Sequence, residues 1–158
     1  MSLKTRKGDL TVGVWAAAGF GLGFAPGAPG TAGTAGIAIF WGILAISDPL
    51  TGGVVALILT AVGIPLCGRA EEHLGKDAGA IVWDEFAGFA VAMVGLPGEW
   101  PVVVLAFALF RLFDISKLFP GDHAQRLPGG WGVVVDDLVA GVYANLGARF
   151  VLALMGTG

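Results

Sequence analysis

Apolar positions in this chain come in blocks and do not alternate with polar ones. Residues 35–47 (AGIAIFWGILAIS) and 53–67 (GVVALILTAVGIPLC) carry no charge. Residues 80–96, 101–119 and 133–155 are apolar over most of their length but contain isolated acids and bases. No stretch has the period of two that marks a half-buried strand, so the blocks predict helices. Together they predict an all-α fold, a compact multi-helix bundle that is membrane-embedded or membrane-associated. Asp48 and Pro49 end the first block, Pro65 predicts a kink in the second, and Pro101 suits a first helical position. The first two blocks fall short of the roughly 20 residues that cross a bilayer. Periodicity therefore leaves open whether they span with help from their flanks or form the core of a bundle.

Between the blocks lie three other segments. Residues 11–34 hold many glycines, and Pro26 and Pro29 argue against one continuous helix there. Residues 68–79 carry Arg69, Glu71, Glu72, His73, Lys76 and Asp77 and read as a surface helix end and loop. Residues 120–132 (PGDHAQRLPGGWG) read as a loop. With no long repeat or low-complexity tract, residues 1–158 are expected to form a single domain.

Composition sharpens the membrane reading. The chain is 56% hydrophobic and 13% charged, whereas soluble domains are about 45–50% apolar and about 25% charged. The net charge of −3 offers no electrostatic case for binding nucleic acid. Cys67, the sole cysteine, can form no internal disulfide and reads as core filler. Lys4, Arg6 and Lys7 precede a Gly-rich segment, not the compact apolar run of a secretory signal. The positive-inside rule places these three residues in the cytoplasm.

The acids then demand an explanation. Asp84, Glu85, Asp114, Asp136 and Asp137 lie within apolar helical blocks, where only Arg111, Lys117 and Arg149 can compensate them. Apolar segments expel such charge unless it is paired or bound. A hard cation would close the gap, and Mg²⁺ takes a few carboxylate oxygens, keeps several waters and often shares its site with phosphate. The plainer alternative is that these acids pair with Arg and Lys or face a polar cavity.

Spacing favours the metal–phosphate reading. Arg111, Asp114 and Lys117 are three apart and would share a helix face, with Asp114 on the metal and the two bases on phosphate oxygens. Adjacent acids point about 100° apart on a helix. One of Asp84 and Glu85, and one of Asp136 and Asp137, is therefore expected on the metal, the other orienting water or a neighbour. Gly88 and Gly141 would let helices approach closely. In PGAPGTAGT, residues 26–34, Gly30, Thr31, Gly33 and Thr34 could open a helix whose N–H groups bind an anion. Alone that signal is weak, since Gly and Thr before an apolar helix are ordinary. Other phosphatase chemistries find no support. No Cys is followed by Arg at the spacing of a cysteine phosphatase, there is no Gly–Lys–Ser/Thr phosphate loop, and His73 and His123 sit in polar segments without a Ser–His–Asp arrangement.

The blocks GFGLGFAPGAPGTAGT, IVWDEFAGF, FRLFDISK and PGGWGVVVDDLVAGV, in this order from about residue 19 to residue 145, resemble the phosphatidylglycerophosphatase A family of bacterial membrane lipid phosphatases. The resemblance implies an α-helical, Mg²⁺-dependent enzyme that removes the terminal phosphate of phosphatidylglycerophosphate in phospholipid biosynthesis. It implies a phospholipid substrate and a bacterial inner (plasma) membrane location, with the active site toward the cytoplasm. It assigns Asp84, Glu85, Asp114, Asp136 and Asp137 to the metal and Asp84, Glu85, Asp114, Lys117 and Asp137 to catalysis. Gly30, Thr31, Gly33, Thr34, Arg111 and Lys117 fall to the substrate. It also carries Gly88, Gly129, Gly130 and Gly141. Leu118 stands where the family has proline, the 120–128 loop is a residue short, and QR replaces Asp-Arg at Gln125 and Arg126. A small membrane ion or proton transporter using intramembrane carboxylates is the alternative from another class. A phosphatidyltransferase would need a long Asp-Gly…Ala-Arg pattern that is absent.

Overall fold

The computed structural model describes residues 12–76, 78–124 and 126–156. Lys4, Arg6 and Lys7, which carry the expectation of a cytoplasmic N-terminus, lie outside the described residues, as do Asp77 and Gln125. Within the described residues the regular elements are helices: α1 (Val12–Ala17), a 3-10 segment (Gly19–Phe24), α2 (Pro29–Leu44), α3 (Pro49–Leu74), α4 (Trp83–Met93), α5 (Trp100–Ser116), α6 (Gly121–Ala124) and α7 (Gly130–Leu154). The all-α fold is as expected.

Three boundaries differ from the sequence expectation, each for a local reason. Helix α2 starts at Pro29, six residues before the uncharged block. Proline is preset for a first helical turn, and the Thr34 hydroxyl folds back to donate to the Gly30 carbonyl at 2.9 Å. Helix α3 runs 26 residues, straight through Pro65 and into the polar segment as far as Leu74. Its start is fixed by Asp48, whose carboxylate accepts from the Thr51 amide at 2.7 Å and the Thr51 hydroxyl at 2.8 Å, a strong N-cap. Residues 120–132 are not all loop, because Gly121–Ala124 form a short helix and α7 opens at Gly130. As a result α3 and α7 (25 residues) are both long and apolar enough to cross a membrane.

Helix α4 is the hub. Nine of its eleven residues are buried, among α2, α3, α5 and α7. Its apolar side chains Phe89 and Met93 pack into one core with Trp41 of α2, Val103 and Phe110 of α5 and Ala144 of α7. Backbones come closest where α4 crosses α7. A Cβ added to Gly88 would lie 2.6 Å from the Asp137 carbonyl oxygen, and one added to Gly141 would overlap the Gly88 carbonyl. Small residues at such a crossing are how helices associate when the surroundings are themselves apolar.

The surroundings of this bundle are apolar. Ile39, Phe40 and Ile43 of α2, Leu50, Val54, Leu57 and Ile58 of α3, Val104 and Leu112 of α5, and Leu146, Phe150 and Leu154 of α7 are all exposed. A water-soluble monomer rarely exposes so much contiguous apolar surface. Helices α2, α4 and α7 start at the end of the bundle where α3 and α5 finish, and that end holds the acids.

Candidate active site

The first turn of α4, the start of α2, the end of α5 and the first two turns of α7 surround a cavity of about 150 Å³. Gly30, Asp84, Glu85, Asp114, Lys117, Asp136 and Asp137 line it, with Ala78 and Gly79 from the segment after α3. Asp84 and Glu85 are each 8% exposed, Asp136 6% and Asp137 4%. Two bases answer these acids. Arg111 Nη1 donates to Asp114 Oδ2 at 2.5 Å and to Glu85 Oε1 at 3.3 Å. Lys117 Nζ donates to Asp136 Oδ2 at 2.7 Å.

That pairing is incomplete. Glu85 Oε2 and Asp137 Oδ2 are buried without a hydrogen-bond partner, which is costly for a charged oxygen. Burial, and then the charge of Asp84, push the Glu85 carboxyl up to about 9 against the pull of Arg111. Glu85 belongs to α4, which at eleven residues is too short to cross a bilayer. The five acids outnumber the two bases beside them, and burial makes their full ionisation costly.

Two glycines seat Glu85. A Cβ on Gly30 would overlap Glu85 Oε1, and one on Gly33 would lie 2.6 Å from Glu85 Oε2. Without side chains there, the first turns of α2 close directly onto the carboxylate. A negative group at a helix N-terminus is favoured by the helix dipole.

The structure gathers most of the expected residues but arranges some differently. Asp84 and Glu85 both line the cavity, as do Asp136 and Asp137, because α2, α5 and α7 wrap the α4 terminus from several sides; each pair can still divide between an ion and the groups around it. Lys117 does not continue the face of Arg111 and Asp114. Helix α5 ends at Ser116, and Lys117 is its C-cap in the left-handed region, with φ 46°. From there its ammonium donates to Asp136 of α7. In the Gly30–Thr34 stretch only Gly30 reaches the cavity. Thr31 is exposed, Gly33 packs on Glu85, and the buried Thr34 spends its hydroxyl on its own helix. Gly129 is left-handed with φ 57° and precedes α7, and a Cβ on Gly130 would overlap the Ile64 carbonyl of α3. Both shape the fold around the site. His73 and His123 are exposed, as expected of surface residues, and Cys67 is buried. The sequence did not single out Ala78 and Gly79, because the charged residues before them mask a small-residue turn.

An all-oxygen donor set suits a hard cation. Among the described residues no three Asp, Glu, His or Cys side chains converge closely enough to grip a bare ion. Mg²⁺ does not need such a cage, since it usually binds through one or two carboxylates and keeps several waters. The open Glu85 and Asp137 oxygens fit that requirement. Glu85 and Asp137 would hold the ion, with Asp84, Asp114 and Asp136 beside them.

Comparison with known proteins identifies the family. The family model described as Phosphatidylglycerophosphatase A matches residues 15–152. A Haemophilus influenzae protein named Phosphatidylglycerophosphatase A is 40% identical over 138 residues, covering 81% of each chain. The Escherichia coli protein of the same name is 36% identical over 129 residues, covering 80% of this chain and 75% of its own. A Bacteroides thetaiotaomicron protein, provisionally named a phosphatidylinositol-3-phosphatase, is 36% identical over 140 residues, covering 83% of this chain and 87% of its own. No solved structure matches the chain. A match that spans all four sequence blocks and every acid of the cavity places this chain in the phosphatidylglycerophosphatase A family.

Proposed function

We propose that this chain hydrolyses phosphatidylglycerophosphate to phosphatidylglycerol and phosphate, with Mg²⁺, as a step of phospholipid biosynthesis. The observation that carries this reading is the cavity itself. Five carboxylates and two bases meet at one end of an apolar bundle, and two buried carboxylate oxygens there stay open. Mg²⁺ bound there would neutralise charge on the phosphoryl group and acidify a water molecule. Arg111 and Lys117 would hold phosphoryl oxygens, Arg as a planar fork and Lys as a point charge. A cavity carboxylate other than the two on the ion would take a proton from the attacking water. The new bond joins the water oxygen to phosphorus, and the bond to the glycerol oxygen breaks. That oxygen leaves as the hydroxyl of phosphatidylglycerol after gaining a proton. Charge on the transferring group is stabilised by groups already in place.

The same end should face the cytoplasm in the bacterial inner membrane. Arg69, Lys76, Arg111, Lys117 and Arg126 cluster around it, whereas Arg149 is the one Lys or Arg at the far end among the described residues. Such asymmetry follows the positive-inside rule. The transporter alternative would place acids along a path through the span, but these gather at one end beside bases.

Phosphate release from the purified protein in detergent micelles tests the reading, with phosphatidylglycerophosphate and phosphatidic acid compared in Mg²⁺ and in EDTA. Release from phosphatidylglycerophosphate in Mg²⁺, lost in EDTA and restored by added Mg²⁺, is expected. Undiminished release in EDTA would remove the metal, and no release from either lipid would remove the activity.

A further inference from the structure

The turn that carries Lys117 also carries two large apolar side chains that the fold leaves uncovered. Leu118 is 45% exposed and Phe119 71% exposed. Their backbone is well held. The Lys117 amide donates to the Phe113 carbonyl at 3.0 Å, and the Gly121 amide donates to the Leu118 carbonyl at 2.8 Å. Tyr143 of α7 donates its hydroxyl to the Phe119 carbonyl at 2.7 Å. The turn also wraps a cavity acid, since a Cβ on Gly121 would lie 2.8 Å from Asp136 Oδ1. Phe119 thus projects from a fixed backbone at the edge of the cavity.

Single exposed apolar residues are ordinary, but this pair continues a longer surface. Val104, Ala108, Leu112 and Ile115 follow one another at spacings of four, four and three, which is one face of α5, and all four are exposed. That face leads to the turn, and the turn leads to the cavity, which Asp114, Lys117 and Asp136 line. Val104 and Ile115 are eleven residues apart, or about 16 Å along a helix. The hydrocarbon of one bilayer leaflet is about 15 Å deep. A phospholipid has its parts in the same order as this surface: acyl chain, glycerol, phosphate.

We propose that the exposed face of α5 and the Leu118–Phe119 turn seat the acyl chains and glycerol of the lipid substrate and lead its phosphate into the cavity. The inference rests on the functional reading above and adds the path by which the lipid reaches the site. Phe119 touches the apolar part of the lipid and not the phosphoryl group. It therefore acts on substrate binding and not on the chemical step.

Hydrolysis of phosphatidylglycerophosphate by the full chain in mixed detergent micelles, at rising mole fractions of lipid, tests this. Contact kept equally in the ground and transition states shows in KM alone. Phe119→Ala should raise KM on the order of tenfold with kcat unchanged, and adding Leu118→Ala should raise it further. Phe119→Leu keeps an apolar contact and should recover most of the loss. Leu57→Ala, at an equally exposed position on α3, should leave KM as it is. Thermal midpoints of the same samples should match, because Phe119 lies outside the core. Should Phe119→Ala lower the midpoint, Leu112→Ala on the helix face supplies the same KM test. The inference is overturned if KM is unmoved in the Phe119 and Leu118 variants, if kcat falls while KM holds, or if Leu57→Ala raises KM as much. In those cases a wild type that hydrolyses the lipid keeps the functional reading intact. A wild type that does not hydrolyse it removes both.

Discussion

Polar side chains sit at both ends of the contact between α4 and α7, and the two ends treat them oppositely. At the far end, Asn145 Nδ2 donates to the Ala92 and Val94 carbonyls at 2.8 and 2.9 Å. Arg149 donates to the Val94 carbonyl at 3.0 Å and to Asn145 Oδ1 at 2.8 Å. These donors finish the C-terminal end of α4, whose last carbonyls have no partner inside the helix. At the near end, the buried oxygens of Glu85 and Asp137 have no such closure. One end uses polarity to complete a fold, and the other leaves two buried carboxylate oxygens without a partner. A polar group in an apolar helix is therefore informative only once its partners are counted.

The contrast predicts that substitutions at the near end cost activity and those at the far end cost stability. Asp137→Asn should show the largest effect, a loss of about a thousandfold or more in phosphate release. Its thermal midpoint in micelles should hold or rise, because crowded negative charge is relieved. If Asp137→Asn unfolds the chain instead, the near end is structural too and the contrast fails. Lys117→Met comes next. Losing a charge-assisted contact to the transferring phosphoryl group should cost roughly 2–4 kcal/mol, or about 30- to 1000-fold in kcat/KM. Wild-type kcat/KM in this variant would return Lys117 to a purely structural pairing.

Asn145→Leu should reverse the pattern. It leaves the Ala92 carbonyl without its Asn145 donor and the Val94 carbonyl to Arg149, and should lower stability by about 1–3 kcal/mol, with the rate per folded molecule near wild type. A denaturation curve and a rate on the same sample decide this. The smallest effect concerns pH. Burial and the charge of Asp84 push Glu85 up to about 9, which favours its protonated form below that pH, so taking up Mg²⁺ should release a proton. Mg²⁺ affinity should therefore fall as pH drops below 9, by up to about tenfold per unit for each proton released. Calorimetry in two buffers of different ionisation heat measures that release. No released proton would mean that Glu85 stays out of the metal site.

How much of this was legible in the sequence depended on the residue. The acids stood out because charge in apolar blocks is costly wherever it lies, and the cavity holds all five. Glycines 88 and 141 were legible as a close approach for a similar reason. The start of α2 was legible in part: Gly30, Thr31, Gly33 and Thr34 read as a turn that could open a helix, but nothing local showed that Gly30 and Gly33 pack on Glu85, far along the chain. Lys117 was legible as a partner of the site but not in its placement. Spacing assumes that a helix continues, and α5 stops one residue before it. The ion pairs, Tyr143's hold on Phe119 and the reach of α3 to Leu74 depend on tertiary contacts that no local pattern encodes.

The crossing of Gly88 and Gly141 has a consequence for ion choice. Directly beneath the acids, the two helices meet main chain to main chain, with no side chain between them to repack. The spacing of the two backbones that carry Asp84, Glu85, Asp136 and Asp137 is thus set by main-chain contact. Mg²⁺ sits about 2.0–2.1 Å from its oxygens and Ca²⁺ about 2.3–2.6 Å. If these acids hold an ion, so close a frame would favour the smaller one, and enlarging either glycine would separate the helices and change that preference.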